Sequence, residues 1–457
     1  MPPDLNQATF ASKKSLVECT DALENTVRRR VHFYHHPDVG DHHFGPKHPM
    51  KPHRLSVTLD LVLSYGLHKR MKMYAPTEAS REEVAQFHAE DYLDFLSKVT
   101  PENETQFADQ FSKFNLGIGM DCPIFDGMWD FCCMYAGGSL EGARRLCLGA
   151  GAGGQHSSKH QRADICVNWS GGLHHAKKSE ASGFCYVNDI NLAILELLRF
   201  FPRVLYIDID VHHGDGVQEA FYHTDRVFSL SFHLYNGEFF PQTGTLQEIG
   251  MDEGKYYALN VPLREGVDDE TYKYLFRSIV DATITSYRPS VIVLQCGADS
   301  LACDRLGLFN LSIKGHGDCV QFVKSYDIPL LVLGGGGYTL KNVARCWTHE
   351  TAVLCGRRLP NELPTSTSFY DYFAPNFELH PGIVKKSEMS MSREEVESIR
   401  REALENLRVI RGRWRGVGMI ESCDSFLKNV NFSNTLPQDK DTRQNKEEYL
   451  NGWYDDE

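Results

Sequence analysis

Six short apolar runs, at 31–34, 165–169, 204–209, 227–232, 291–295 and 330–333, constrain this chain most. None is long enough for an ordinary helix. Short, predominantly apolar runs of this length fit strands buried on both faces, which requires a sheet covered by helices on each side. Helical spacing fills the intervals. Ile190, Ala193, Ile194, Leu197, Leu198 and Phe201 recur at that spacing before Pro202 stops them, and Glu394 to Leu407 reads as another helix. The strand-then-helix rhythm predicts an α/β fold: one domain with a doubly wound, mostly parallel sheet and helices on both faces.

The chain has 457 residues, of which 42% are hydrophobic, enough for one large α/β core. Residues 1–28 are polar and run into Arg28-Arg29-Arg30, so they read as a flexible N-terminal flank. A single folded domain is expected over 29–412. Residues 413–457 lose periodicity and finish on an acidic Asp455-Asp456-Glu457, the pattern of a polar tail. The segment 149–160 is glycine-rich and reads as an exposed loop. Its His156 and His160 have ligand-like spacing but no helix to orient them. A net charge of −13 argues against direct binding to nucleic acid. Thirteen scattered cysteines with no Cys-x-x-Cys pair fit a reducing cytosolic or nuclear compartment. No apolar run is of membrane-spanning length, so no membrane association is expected.

Four of the runs end in reactive side chains, where open α/β sheets bind ligands. The run at 204–209 leads into Asp208-Ile209-Asp210-Val211-His212-His213-Gly214-Asp215. Asp208, Asp210 and His212 alternate, so an extended backbone would point all three to one side. Two carboxylates and an imidazole so placed call for a cation. The run at 291–295 brings Asp299 to the same edge. Asp210, His212 and Asp299 then form three protein ligands with open positions, the pattern of a catalytic metal. The set suits Zn²⁺, with Fe²⁺ as the alternative. The run at 165–169 leads to His174 and His175, proton-transfer candidates that Asp208 and Asp215 could orient. The run at 330–333 leads through Gly334-Gly335-Gly336-Gly337 to Tyr338, whose hydroxyl could stabilise an oxyanion. These features describe a metal-dependent amide hydrolase.

The segments Gly45-Pro46-Lys47-His48-Pro49-Met50-Lys51-Pro52-His53-Arg54, Gly172-Leu173-His174-His175-Ala176-Lys177-Lys178 and Ser182-Gly183-Phe184-Cys185-Tyr186-Val187-Asn188-Asp189 resemble the zinc-dependent histone deacetylases of class I. So do the 208–216 run, Gly297-Ala298-Asp299-Ser300-Leu301 and the 334–338 run. The matching segments span about 31 to 381. The resemblance implies the arginase/deacetylase fold and hydrolysis of N-ε-acetyl-lysine, chiefly on histone tails, in transcriptional repression. It makes His175, oriented by Asp215, the main general base and acid, with His174 and Asp208 assisting. Gly183, Phe184, Phe240 and Leu306 would line a tunnel for the lysine stem, and Asp121 would hold the substrate backbone at its rim. It further implies a structural K⁺ near Asp208 and Ser231, and an inositol polyphosphate at His43, Lys51, Arg305 and Lys341. Corepressor subunits are the implied partners, and the nucleus is the implied compartment, with the cytoplasm also open. Gln242 stands where the family usually has glycine, and Lys341 where it has arginine. Two residues are inserted just before Asp121. Alternatives are a deacetylase for small acetylated amines such as polyamines, and a corepressor scaffold with little catalysis.

Overall fold

The computed structural model describes residues 29–117, 119–148 and 163–413. Both flanks and the 149–160 loop, with His156 and His160, lie outside them.

Among the described residues, eight strands form a single sheet: β1 (Val31–Tyr34), β2 (Lys72–Tyr74), β3 (Ile165–Asn168), β4 (Val204–Asp208), β5 (Val227–Leu234), β6 (Ala258–Leu263), β7 (Val291–Gln295) and β8 (Leu330–Leu333). Their order is β2-β1-β3-β8-β7-β4-β5-β6, and every neighbouring pair is parallel. The expected mostly parallel sheet is thus parallel throughout. All strands therefore present their carboxyl ends to one edge, and the four whose ends carry reactive side chains are consecutive: β3, β8, β7, β4.

Seven helices of ten or more residues occur among the described residues: α1 (His53–Ser64), α2 (Met128–Cys147), α3 (Asp189–Leu198), α4 (Asp269–Tyr287), α5 (Ile313–Lys324), α6 (Leu340–Leu354) and α7 (Arg393–Arg413). The side chains of the central strands alternate between two cores. Val204, Tyr206, Val291, Val293, Leu331 and Leu333 pack with Ala143, Leu146, Ile194 and Leu197 of α2 and α3. Leu205, Ile207, Ile292, Leu294 and Val332 pack on the other face with Leu275, Ile279, Val320 and Val343 of α4, α5 and α6. This confirms helices on both faces.

With both faces apolar, a one-residue slip would cost little through hydrophobic exposure, so amphipathicity does not enforce register here. The polar strand ends do. Asn168, Leu333, Gln295, Asp208 and Ser231 form one row across β3, β8, β7, β4 and β5. Gln295 reaches from that row to Asp210 Oδ2 at 2.8 Å. A slip of β7 would leave that buried carboxylate oxygen short of a donor, at a cost of about 1–3 kcal/mol or more.

Candidate active site

β4 ends at Asp208, earlier than the apolar run suggests. Beyond it the chain turns rather than extends: the Asp210 N–H donates to Asp208 Oδ1, and the His212 N–H donates to Asp210 Oδ1, each at 3.0 Å. These side-chain acceptors satisfy backbone groups that no longer pair in the sheet. They also keep Asp208, Asp210 and His212 in one cluster, the outcome expected of an extended strand reached by another route.

Asp210, His212 and Asp299 converge in a fully buried group. His212 Nδ1 lies 3.0 Å from Asp210 Oδ1 and 3.1 Å from Asp299 Oδ2. The other carboxylate oxygens are already engaged. Asp210 Oδ2 accepts from Gln295 Nε2 and from the Gly336 N–H at 2.9 Å, and Asp299 Oδ1 accepts from the Val211 N–H at 3.0 Å. One ligand atom from each of the three residues lies within 4.8 Å of the others. Burial and the Asp210 charge push Asp299 up to about 7. Burial disfavours a charged His212, yet its two carboxylate neighbours raise it to about 10. A divalent cation would balance the two carboxylates and coordinate all three donors. The donor set fits a catalytic metal.

His174 and His175 stand beside this group on the turn after β3. Asp189, at the start of α3, shapes that turn by accepting the N–H groups of Gly172 and Leu173 at 2.9–3.1 Å. Gly172 has φ +95°, and a Cβ there would meet the Gly334 carbonyl oxygen at 2.4 Å, so the β3 and β8 turns touch. His174 Nδ1 donates to Asp208 Oδ2 and His175 Nδ1 to Asp215 Oδ1, both at 2.7 Å. The two Nε2 atoms are 2.9 Å apart. With both Nδ1 protons facing carboxylates, that contact needs one further proton, so the pair carries a single positive charge. Its division is unequal. Burial opposes charge on His174, but Asp208 and Asp210 raise it to about 9. Burial and the neighbouring His174 charge lower His175 to about 3. His175 is therefore the neutral base of the pair. Behind it, Lys177 Nζ bonds Asp215 Oδ2 at 2.7 Å and Glu219 at 3.1 Å. Burial would raise the Asp215 carboxyl, but Lys177 and His175 hold it far below the usual range.

Tyr338 follows the glycine turn after β8. Burial and the charges of Asp299 and Asp210 keep its phenol protonated. Buried Arg54 donates to the carbonyls of Gly335 (2.6 Å) and Gly337 (2.7 Å) and stacks over Trp347. Phe240 packs edge-on against His175 at 4.9 Å, and Phe184 against Tyr338 at 5.8 Å. The Gly183 N–H donates to Asp121 Oδ2 at 2.9 Å, while Asp121 Oδ1 is buried with no partner among the described residues. Leu306 is half-buried, and its N–H donates to Asp304. Gln242 is exposed with φ +68°, two residues beyond Phe240.

Motif reading missed several residues of this chamber: Arg54, Gln295, Asp304 and Lys177 as an ion-pair partner. It also missed the buried trio His316, Cys346 and Glu350. His316 ion-pairs with Glu350, and its Nε2–H donates to the Gly297 carbonyl at 3.0 Å, bracing the strand end before Asp299. The signals lie in pairings across α5 and α6, which no local pattern announces.

Asp208 and Ser231 are register partners, with Ser231 Oγ 2.9 Å from His233 Nδ1. Of the four residues expected for an inositol polyphosphate, His43 and Arg305 are exposed. Lys51 donates to the Gly45 and Pro46 carbonyls and Lys341 to that of Ala374.

Residues 48–354 match the family model for the histone deacetylase domain. The chain is similar to histone deacetylase B of Dictyostelium discoideum, 51% identical over 432 residues that cover 94% of this chain and 97% of that protein. It is similar to probable histone deacetylase 1-B of Xenopus laevis, 52% identical over 391 residues, with 85% and 78% covered. Against histone deacetylase 1 of Homo sapiens it is 52% identical over 386 residues, with 84% and 76% covered. With the family model spanning well over half of the chain and such likeness along most of its length, the chain belongs to the histone deacetylase family.

Proposed function

We propose that this protein hydrolyses N-ε-acetyl-lysine in histone tails, releasing acetate and lysine, with Asp210, His212 and Asp299 holding a Zn²⁺ ion. The observation that carries this reading is the junction of two buried groups: three converging metal donors beside a histidine pair that shares one proton. When bound, the metal supplies Lewis acidity toward the amide carbonyl and acidifies the attacking water. His175 Nε2 takes the proton of that water and later gives it to the departing amine. Asp215 keeps the His175 ring in the tautomer whose Nε2 carries no proton. His174, charged and paired with Asp208, adds positive potential where negative charge develops. The protonated Tyr338 hydroxyl donates to the oxyanion. Phe184, Phe240, Gly183 and Leu306 sheathe the aliphatic lysine stem, and Asp121 Oδ1 accepts a backbone N–H of the substrate.

The same reading includes a structural K⁺ near Asp208 and Ser231, an inositol polyphosphate at His43, Lys51, Arg305 and Lys341, corepressor partners and a nuclear location. The family likeness supports these assignments. Purified protein loaded with Zn²⁺, alone or with a corepressor subunit, should release acetate from an acetylated histone-tail peptide and be blocked by a hydroxamate. It should turn over acetylpolyamine far more slowly. A preference for the polyamine would replace the protein substrate in this account.

A further inference from the structure

The loop 303–308 serves two walls of the catalytic chamber, and a lysine far along the chain holds it from outside. Its inner side is organised by Asp304, which is 3% exposed. Asp304 Oδ1 accepts the N–H groups of Leu306 (2.9 Å) and Gly307 (3.1 Å). Asp304 Oδ2 accepts those of Tyr338 (2.7 Å) and Thr339 (3.3 Å). The Thr339 hydroxyl donates to the Cys303 carbonyl at 2.8 Å. One carboxylate thus couples the position of Leu306 to the backbone of Tyr338.

With these N–H groups turned inward, the loop carbonyls face out. Those of Asp304, Arg305 and Gly307 converge on Lys386 Nζ at 3.1, 3.0 and 3.3 Å. An ammonium has three donors, and the three carbonyls use all of them. The Lys386 segment has no regular structure of its own and is pinned to the same region. Cys303 Sγ–H donates to the Val384 carbonyl at 2.9 Å. The Lys386 N–H donates to Asn310 Oδ1 at 3.2 Å, and Asn310 Nδ2 donates to the Ser387 carbonyl at 2.7 Å. Cys303 itself holds φ +63°, a backbone state that costs a non-glycine residue energy and persists only where surrounding contacts enforce it.

We propose that Lys386 is a positioning residue for deacetylation: its ammonium gathers the three carbonyls, fixes the loop 303–308, and through Asp304 sets both the Leu306 wall and the Tyr338 donor. Hydrogen bonds from a charged donor are stronger than neutral ones, and a point cation is the simplest group that can satisfy three converging carbonyls at once. The inference rests on the assignment of Leu306 to the tunnel and Tyr338 to the oxyanion.

The test compares Lys386→Ala, Lys385→Ala and Tyr338→Phe with the wild type, in the zinc-loaded full chain acting on an acetyl-lysine peptide. Lys386→Ala should lower kcat/KM about tenfold, through a higher KM and a lower kcat, because small displacements of a positioned group are costly in rate. Ethylammonium in the buffer, which can enter the vacated carbonyl trio, should restore part of the loss and leave the other proteins unaffected. Lys385→Ala removes the same charge from the neighbouring position and should behave as wild type. Wild-type kcat and KM in Lys386→Ala, an equal defect in Lys385→Ala, or a defect that ethylammonium does not reduce would each overturn the inference. An inactive Tyr338→Phe beside an unaffected Lys386→Ala would overturn this inference alone. A fully active Tyr338→Phe would overturn the assignment beneath it as well.

Discussion

Replacing Lys177 by methionine isolates the far end of the His175–Asp215–Lys177 chain while keeping most of the side-chain volume. The ammonium contacts Asp215 at 2.7 Å, and Asp215 contacts His175 at 2.7 Å. Two such bonds in series put the positive charge roughly 6 Å from the imidazole, and at an effective dielectric of about 20 this amounts to about 3 kcal/mol. Removing it lets Asp215 stabilise an imidazolium without competition, so the His175 pKa rises. That energy corresponds to about two pH units, less whatever Glu219 and water return. The sign is definite: His175 works as a base only when neutral, so the acid limb of kcat/KM must move to higher pH. Its measurement is a pH–rate profile with an acetyl-lysine peptide, with circular dichroism confirming that the variant is folded. A variant whose activity falls equally at every pH, with the acid limb where the wild type has it, would refute the reasoning. Lys177 would then matter only for packing.

Other consequences are open to direct measurement. Tyr338→Phe should lower kcat by about 10²–10³ with little change in KM, since the hydroxyl acts mainly on the oxyanion. Gln295→Leu, which removes a donor from Asp210, should weaken Zn²⁺ binding about 10–100-fold by competition with a chelating dye, while the far-ultraviolet spectrum stays native. Asp121→Ala should raise KM for acetylated peptides by about 10–150-fold, the range expected for losing a hydrogen bond to a charged acceptor, and affect a single acetylated lysine far less. Glu350→Gln keeps the shape of the buried His316 pair but removes its charge. Leaving the imidazolium uncompensated should cost about 3–5 kcal/mol in urea unfolding.

The central strands were legible because burial on both faces writes itself as a predominantly apolar run. The edge strands were not. β2 is three half-exposed residues, Lys72–Tyr74, and carries no such run. β6 reads Ala-Leu-Asn-Val-Pro-Leu. Its Pro262 is tolerated because an edge strand has a side with no partner strand, and its Asn260 is turned to Gln218 and the Glu248 carbonyl. The Asp210, His212 and Asp299 cluster and the histidine pair were legible because strand ends concentrate chemistry. Their supports were not: Arg54 reaches Gly337 across 283 residues of sequence, and Lys386 reaches Arg305 across 81. Such roles arise only when the fold brings distant backbone carbonyls to one side chain. The short 208–212 segment shows a subtler gap. Alternation was the right pattern, but turns closed by side chains produce it, and periodicity alone does not distinguish a turn from a strand.

The central claim is that Asp210, His212 and Asp299 hold a metal that this chain needs to hydrolyse acetyl-lysine. Acetate release from an acetylated histone-tail peptide, measured with metal content on the same samples, tests it most directly. The account predicts activity proportional to one Zn²⁺ per chain, lost on chelation, regained on reloading, and absent in Asp299→Ala together with the bound metal. Undiminished acetate release from chelated protein, or from an Asp299→Ala variant that has lost its metal, would contradict it.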